Sequence, residues 1–212
     1  MDFTNNKVIM TGTVLDEPKL NHEVYSEKFY MFTLRTIRLS GMEDDIKVIV
    51  SERLMIDEKM NIGDRVCVEG QFRSHNGCNE DGSSKLMLAV FAGNIHNADN
   101  EKNTNEIYLD GYICKPPTYR TTPFGREIAD LLIGVNRGYG KSDYIPVIVW
   151  GRNARYAAAL EVGSHIKIHG RIQSRSYRKR IDEENSVFKT AYEVSANRIE
   201  PVGETEDDNK EA

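Results

Sequence analysis

The sequence predicts an all-β chain of two five-stranded barrels in tandem, each with one short capping helix, and three observations carry that expectation. The first is an internal repeat. At an offset of 99 residues, Asn6 to Gly12 lies over Asn105 to Gly111, Pro18 over Pro117, Arg38 over Arg137, and Ile46 to Val50 over Ile145 to Val149. After a one-residue shift, Gly63 to Gly70 lies over Gly163 to Gly170. Self-similarity at one fixed spacing means two copies of one unit. The second is alternation with a period of two: Ile145, Val147 and Val149 share one strand face while Tyr144, Pro146, Ile148 and Trp150 share the other. The third is how little helix there is, one short stretch in each copy, Ala-rich from Arg152 to Leu160 in the second, where Gly163 closes it.

In chain order, residues 1–97 form the first copy, 98–104 a polar linker without periodicity, 105–199 the second copy, and 200–212 an acidic tail. The tail lacks aromatics and is expected to be disordered. Strands of the second copy are expected near 105–115, 126–137, 143–150, 164–177 and 187–199, with Pro123, Phe124 and Gly125 turning the first hairpin. Gly12, Gly70, Gly111 and Gly170 fall inside strands, where glycine costs stability unless the backbone must bend or be approached closely. Five bent strands with a helix after the third is the order of an OB-fold barrel.

Bulk properties exclude several classes. No apolar run approaches the ~20 residues of a spanning helix, and the first residues lack the pattern of a signal peptide, so a cytoplasmic location is expected. Cys67, Cys78 and Cys114 form no CxxC pair and show no ligand spacing with histidine, so neither a metal nor another cofactor is expected. Gly140-Lys141-Ser142 lacks the earlier glycine of a phosphate-binding loop and runs into a strand rather than a helix. No acid-base or nucleophilic constellation is visible, so an enzyme is not expected.

The net charge of −5 hides a strong asymmetry. Residues 1–100 carry 11 Lys+Arg and 16 Asp+Glu, residues 105–199 carry 15 and 10, and residues 200–212 carry 1 and 6. Basic charge is thus confined to the copy that holds the aromatic strand. There Lys167, His169, Arg171, Arg175 and Tyr177 share one face of the fourth strand, opposite Ile166, Ile168 and Ile172. Aromatics interleaved with cations suit single-stranded nucleic acid, whose bases stack and whose phosphates need counter-charge.

The second copy resembles the bacterial single-stranded DNA-binding protein family through Pro117 to Gly125, Val135-Asn136-Arg137, Tyr144 to Arg152 and Gly170 to Tyr177. The resemblance implies base stacking on Tyr144, Trp150 and Tyr177, with another aromatic in the loop at Tyr139. Arg120, Arg137, Arg152, Lys167, Arg171, Arg175 and Arg178 are the cations expected at the DNA. It also implies a role in replication, recombination or repair, and a homodimer in which two chains supply four barrels.

Two departures stand out. In the first copy Tyr144 is matched by Asp45, Trp150 by Ser51 and Tyr177 by Gly77, which suggests a barrel kept for structure or assembly. The tail supplies acid at Glu204 to Asp208 but ends without the hydrophobic tip through which the family docks on replication and repair proteins. Other readings remain open: a single-stranded RNA-binding or primosome-like accessory protein, or an interaction scaffold that binds no nucleic acid.

Overall fold

A computed structural model describes residues 4–57, 60–78, 84–180 and 186–202, so the expected disorder of the tail beyond Val202 lies outside the described residues. The all-β, two-barrel architecture read from the repeat is observed. The first barrel runs β1 (Asn6–Val14), β2 (Lys19–Val24), β3 (Glu27–Ile37), β4 (Glu43–Ser51), α1 (Glu52–Asp57), β5 (Arg65–Cys78) and β6 (Ser84–Asn97). The second repeats it as β7 (Asn105–Ile113), β8 (Thr118–Thr121), β9 (Glu127–Arg137), β10 (Lys141–Trp150), α2 (Arg152–Ala157), β11 (His165–Arg180) and β12 (Ser186–Pro201).

Each barrel closes through pairings that link distant parts of the sequence. In the second, β10 runs parallel to β12 with Val147 opposite Val194, and β7 pairs with β9 at Ile113 and Ile133. The first closes the same way, with Val48 opposite Val90 and Val14 opposite Leu34. Ile145, Val147, Val149, Ile166, Ile168 and Ile172 are all buried, as their alternation predicts. Each such side chain contributes about 1.5–3 kcal/mol relative to exposure.

Boundaries differ from expectation in three places. A short edge strand, β8, forms a hairpin with β9 at Thr121 and Glu127, so the Pro-Phe-Gly turn joins two paired strands. The helix stops at Ala157 rather than Leu160, because 158 and 159 form a turn leading to Gly163 at φ 91°. The β11–β12 hairpin extends to Arg180 opposite Ser186. In-strand glycines answer close approaches: at Gly70 and Gly170, both at register shifts, a Cβ would sit 2.1 Å and 2.4 Å from the carbonyl oxygens of Phe91 and Ser195.

The barrels join through their first strands. β1 and β7 pair antiparallel with Val8 opposite Ile107, its own repeat equivalent, so an approximate twofold axis passes between them and one 12-stranded sheet runs through both barrels. Contacts that anchor these two strands within their own barrels come in matched pairs. The Asn6 amide donates to the Phe72 carbonyl at 2.8 Å and accepts from the Phe72 N–H at 2.9 Å, and Asn105 does the same with Ile172.

Arg38 grips the fully buried Asp44 with two bonds of 2.6 and 2.7 Å, and Asp44 accepts the Ser174 N–H of the other barrel at 2.7 Å. On the opposite side Arg137 meets buried Asp143 at 3.3 Å, and Asp143 accepts the Ser74 N–H at 2.9 Å. Segment 98–104 is also tied down. Ala98 is buried, and the Arg65 guanidinium donates to the carbonyls of Ala98 and Glu101 and to Asn103 Oδ1.

Candidate nucleic-acid interface

β10, β12 and β11 turn one face inward to the core and the other to solvent. The other face of β10 carries Tyr144 and Trp150, 47% and 38% exposed, at its two ends, with Pro146 half-buried and Ile148 buried between them. At ~3.3 Å per residue the two aromatics stand roughly 20 Å apart. Tyr177 on β11, 37% exposed, lies under Arg175, whose guanidinium carbon is 5.8 Å from the ring centroid.

Arg171 sits on the same face. Its Nη2 donates to Gln173 Oε1 at 3.4 Å, its Nε is buried without a partner among the described residues, and burial followed by the proximity of Arg38 lowers its pKa from the ordinary value. Asp44 acts on it only at a distance, and a guanidinium with no carboxylate at salt-bridge distance among the described residues is a natural contact for an anion. Arg175 is tempered by Glu193 at 3.8 Å, a buried carboxylate that also accepts from Gln173 at 2.8 Å. Nothing in the sequence pattern marked Glu193 as part of this face.

The other expected contacts are spread more widely. Tyr139, fully exposed at φ 63°, projects from the β9–β10 turn. Positive φ is uncommon for a bulky residue and draws attention to the turn. Arg178, exposed, bonds Ser186 across the hairpin. Arg152 is exposed at the start of α2. Arg120 on the edge strand is paired with Asp130 by bonds of 2.7 and 3.2 Å.

Two cations lie away from the aromatic face. Lys167 is flanked in register by Asp110 and Glu200, towards the β7 end of β11. Arg137 turns into the seam between barrels, paired with Asp143. Its repeat equivalent Arg38 does likewise. The offset that aligns Arg38 with Arg137 also aligns Asp44 with Asp143, so a signal for the seam was present in the repeat.

In the first barrel the positions matching the aromatics are engaged internally. Asp45 is held by Arg35 at 2.7 and 2.8 Å, and Ser51 donates to Glu27 at 2.5 Å. A different set of aromatics occupies this face. His22 stacks on Phe29 with centroids 4.8 Å apart, Phe29 lies 5.4 Å from Phe91, and the Arg73 guanidinium sits 4.1 Å over Phe91.

Cys67, His96 and Glu101 converge with donor atoms all within 4.8 Å, a grouping that the linear spacing did not reveal. Strand register produces it, since Cys67 lies opposite His96 and Glu101 follows on the connecting segment. His96 Nε2 is already bonded to Glu101 at 2.9 Å, and burial raises the Cys67 thiol's pKa.

Residues 104–202 match the profile of the single-strand binding protein family. The chain is 30% identical over 103 residues to single-stranded DNA-binding protein 3 of Clostridium acetobutylicum, covering 45% of this chain and 69% of that one. It is 38% identical over 80 residues to the single-stranded DNA-binding protein of Clostridium tetani, covering 34% and 55%. The chain spans about half the length of most of the curated relatives it matches. Among solved structures, the wild-type single-stranded DNA binding protein from Thermus aquaticus has the same fold, with a TM-score of 0.73 at 22% identity over 94% of each chain.

Proposed function

This chain belongs to the single-strand binding protein family, and from that premise we propose that it binds single-stranded DNA with little sequence preference, through the outward face of β10 and β11. The observation that carries the reading is the exposed aromatic set Tyr144, Trp150 and Tyr177 beside Arg171 and Arg175 on one face of the sheet. Bases stack on the rings while the guanidiniums and the exposed Arg152 and Arg178 follow the backbone. Each stacked base contributes ~1–3 kcal/mol. Tyr139 on its turn extends the row. Arg120 and Arg137 act with their carboxylates partly offsetting them, and Lys167 makes at most an outlying contact. The role is protection of single strands during replication, recombination or repair, and it needs no catalytic step.

Binding should be strongly salt-dependent, because each phosphate neutralised releases counterions. The expected result for a labelled oligothymidine, followed by anisotropy across a salt series, is a linear fall of log affinity with log salt. Affinity independent of salt would remove the basic groove from the account. Competition with a matched RNA separates the rival reading, since only contacts to the 2′-OH favour RNA. A scaffold role would show as no binding to either.

The assembly proposed is a homodimer, four barrels from two chains, supported by the two repeats in each chain. Light scattering should give the mass of two chains at micromolar concentration, and a monomer mass throughout would contradict it. Recruitment of replication or repair proteins would fall to the acidic tail, which lies outside the described residues.

A further inference from the structure

Strand register brings a thiol, an imidazole and a carboxylate together on a part of the first barrel that the DNA-binding reading does not use. Cys67 on β5 lies opposite His96 on β6, and Thr11 on β1 lies opposite Cys67 from the other side, so the three form one row across adjacent strands. Glu101 meets that row from segment 98–104, which leads into β7. Its backbone is fixed: the Glu101 N–H donates to the Ala98 carbonyl at 3.0 Å, and Arg65 donates to the carbonyls of Ala98 and Glu101, both at 3.2 Å. The segment is also tied to the row itself, since the Thr11 N–H donates to the Thr104 carbonyl at 2.8 Å.

We propose that Cys67, His96 and Glu101 bind a single zinc ion, with water in the fourth position. A soft thiolate with an imidazole and a carboxylate suits zinc, whereas magnesium and calcium prefer sites made of oxygen. The three donor atoms lie within 4.8 Å of one another. Around a tetrahedral zinc, bonds of ~2.0–2.3 Å put neighbouring donors about 3.3–3.6 Å apart, so side-chain adjustment closes the site. Burial grades outward from a buried Cys67 through a half-buried His96 to an exposed Glu101, which gives the ion an entry path and a wet fourth position.

An ordinary ion pair between His96 and Glu101, 2.9 Å apart, would account for those two residues and for nothing beneath them. The Thr11 hydroxyl is the second observation. It is fully buried and has no hydrogen-bond partner among the described residues, although Cys67 is its cross-strand neighbour. A neutral thiol is a weak acceptor. A zinc-bound thiolate is a stronger one and takes that hydroxyl as an outer contact of the kind that orients metal ligands.

On binding, the Cys67 thiol releases its proton to solvent, and zinc replaces the proton held between His96 Nε2 and Glu101. The result is a clip between the first barrel and the segment that enters the second.

The test is a cobalt(II) titration of the full chain, stripped of metal by a chelator and kept reduced, because cobalt is a coloured substitute for zinc. The expected result is saturation at one equivalent per chain, with a thiolate-to-cobalt charge-transfer band and the strong visible bands of a four-coordinate ion, all removed by added zinc. Cys67→Ser should abolish the charge-transfer band, and His96→Ala should weaken binding at least about tenfold. The double variant Cys78→Ser/Cys114→Ser should behave as the unaltered chain. Zinc at a hundredfold excess over its dissociation constant should raise the thermal midpoint of the unaltered chain by about 5–10 °C and leave that of Cys67→Ser in place. No charge-transfer band on the unaltered chain, a midpoint indifferent to zinc, a band that survives Cys67→Ser, or undiminished affinity in His96→Ala overturns the site. The band and the midpoint are read on the unaltered chain first, so a variant that fails to fold does not shield the proposal.

Discussion

Replacing Tyr144 and Trp150 together by alanine is expected to weaken oligothymidine binding by at least about thirtyfold, because two stacked bases at ~1 kcal/mol or more apiece are lost. Folding should survive the change. Both rings are more than a third exposed, and the core face of β10 belongs to Ile145, Val147 and Val149. The thermal midpoint therefore serves as the control. An affinity within threefold of the unaltered chain, at an unchanged midpoint, would show that these rings stack on nothing. Single variants should each account for part of the loss, with Trp150→Ala the larger, since indole offers the greater stacking area.

The second large effect is on stability. Asp44 has no exposed surface, receives two bonds from Arg38, and takes the Ser174 N–H across the seam. Asp44→Ala strands the guanidinium and an amide donor at once. Breaking a buried pair from one side costs ~3–5 kcal/mol. At roughly 2–4 °C per kcal/mol for a chain of this size, the midpoint should fall by about 6–20 °C. Asp44→Asn keeps an acceptor oxygen and should lose less. A shift below about 2 °C for the alanine variant would mean that the seam contributes little to folding.

The fold was legible because the repeat and the alternation report on the core, and burial imposes its pattern wherever one face of a strand is covered. Ile145, Val147 and Val149 follow it without exception. Tyr144, Trp150 and Tyr177 were legible for the converse reason, since apolar residues on the uncovered face ask for another explanation. What escaped was whatever depends on strands brought together from far apart.

Arg137 reads as one more cation in a basic segment, yet its partner Asp143 is buried and its neighbour Arg73 comes from the other barrel. Position-by-position comparison likewise made the first barrel look bare, because Asp45 and Ser51 replace aromatics. Its aromatics stand instead on β2, β3 and β6, as His22, Phe29 and Phe91. Each of the three lies in a segment where the two copies share no motif. Only the assembled sheet places them side by side.

Titration of the full chain with unlabelled oligothymidine, following intrinsic tryptophan emission, tests the central claim most directly. Trp150 is the only tryptophan in the chain, so the signal reports on one position of the proposed face. The account predicts saturable quenching at low salt, since a base stacked on the indole changes its surroundings at once. Saturable binding seen by an independent probe, with Trp150 emission unchanged, would contradict it.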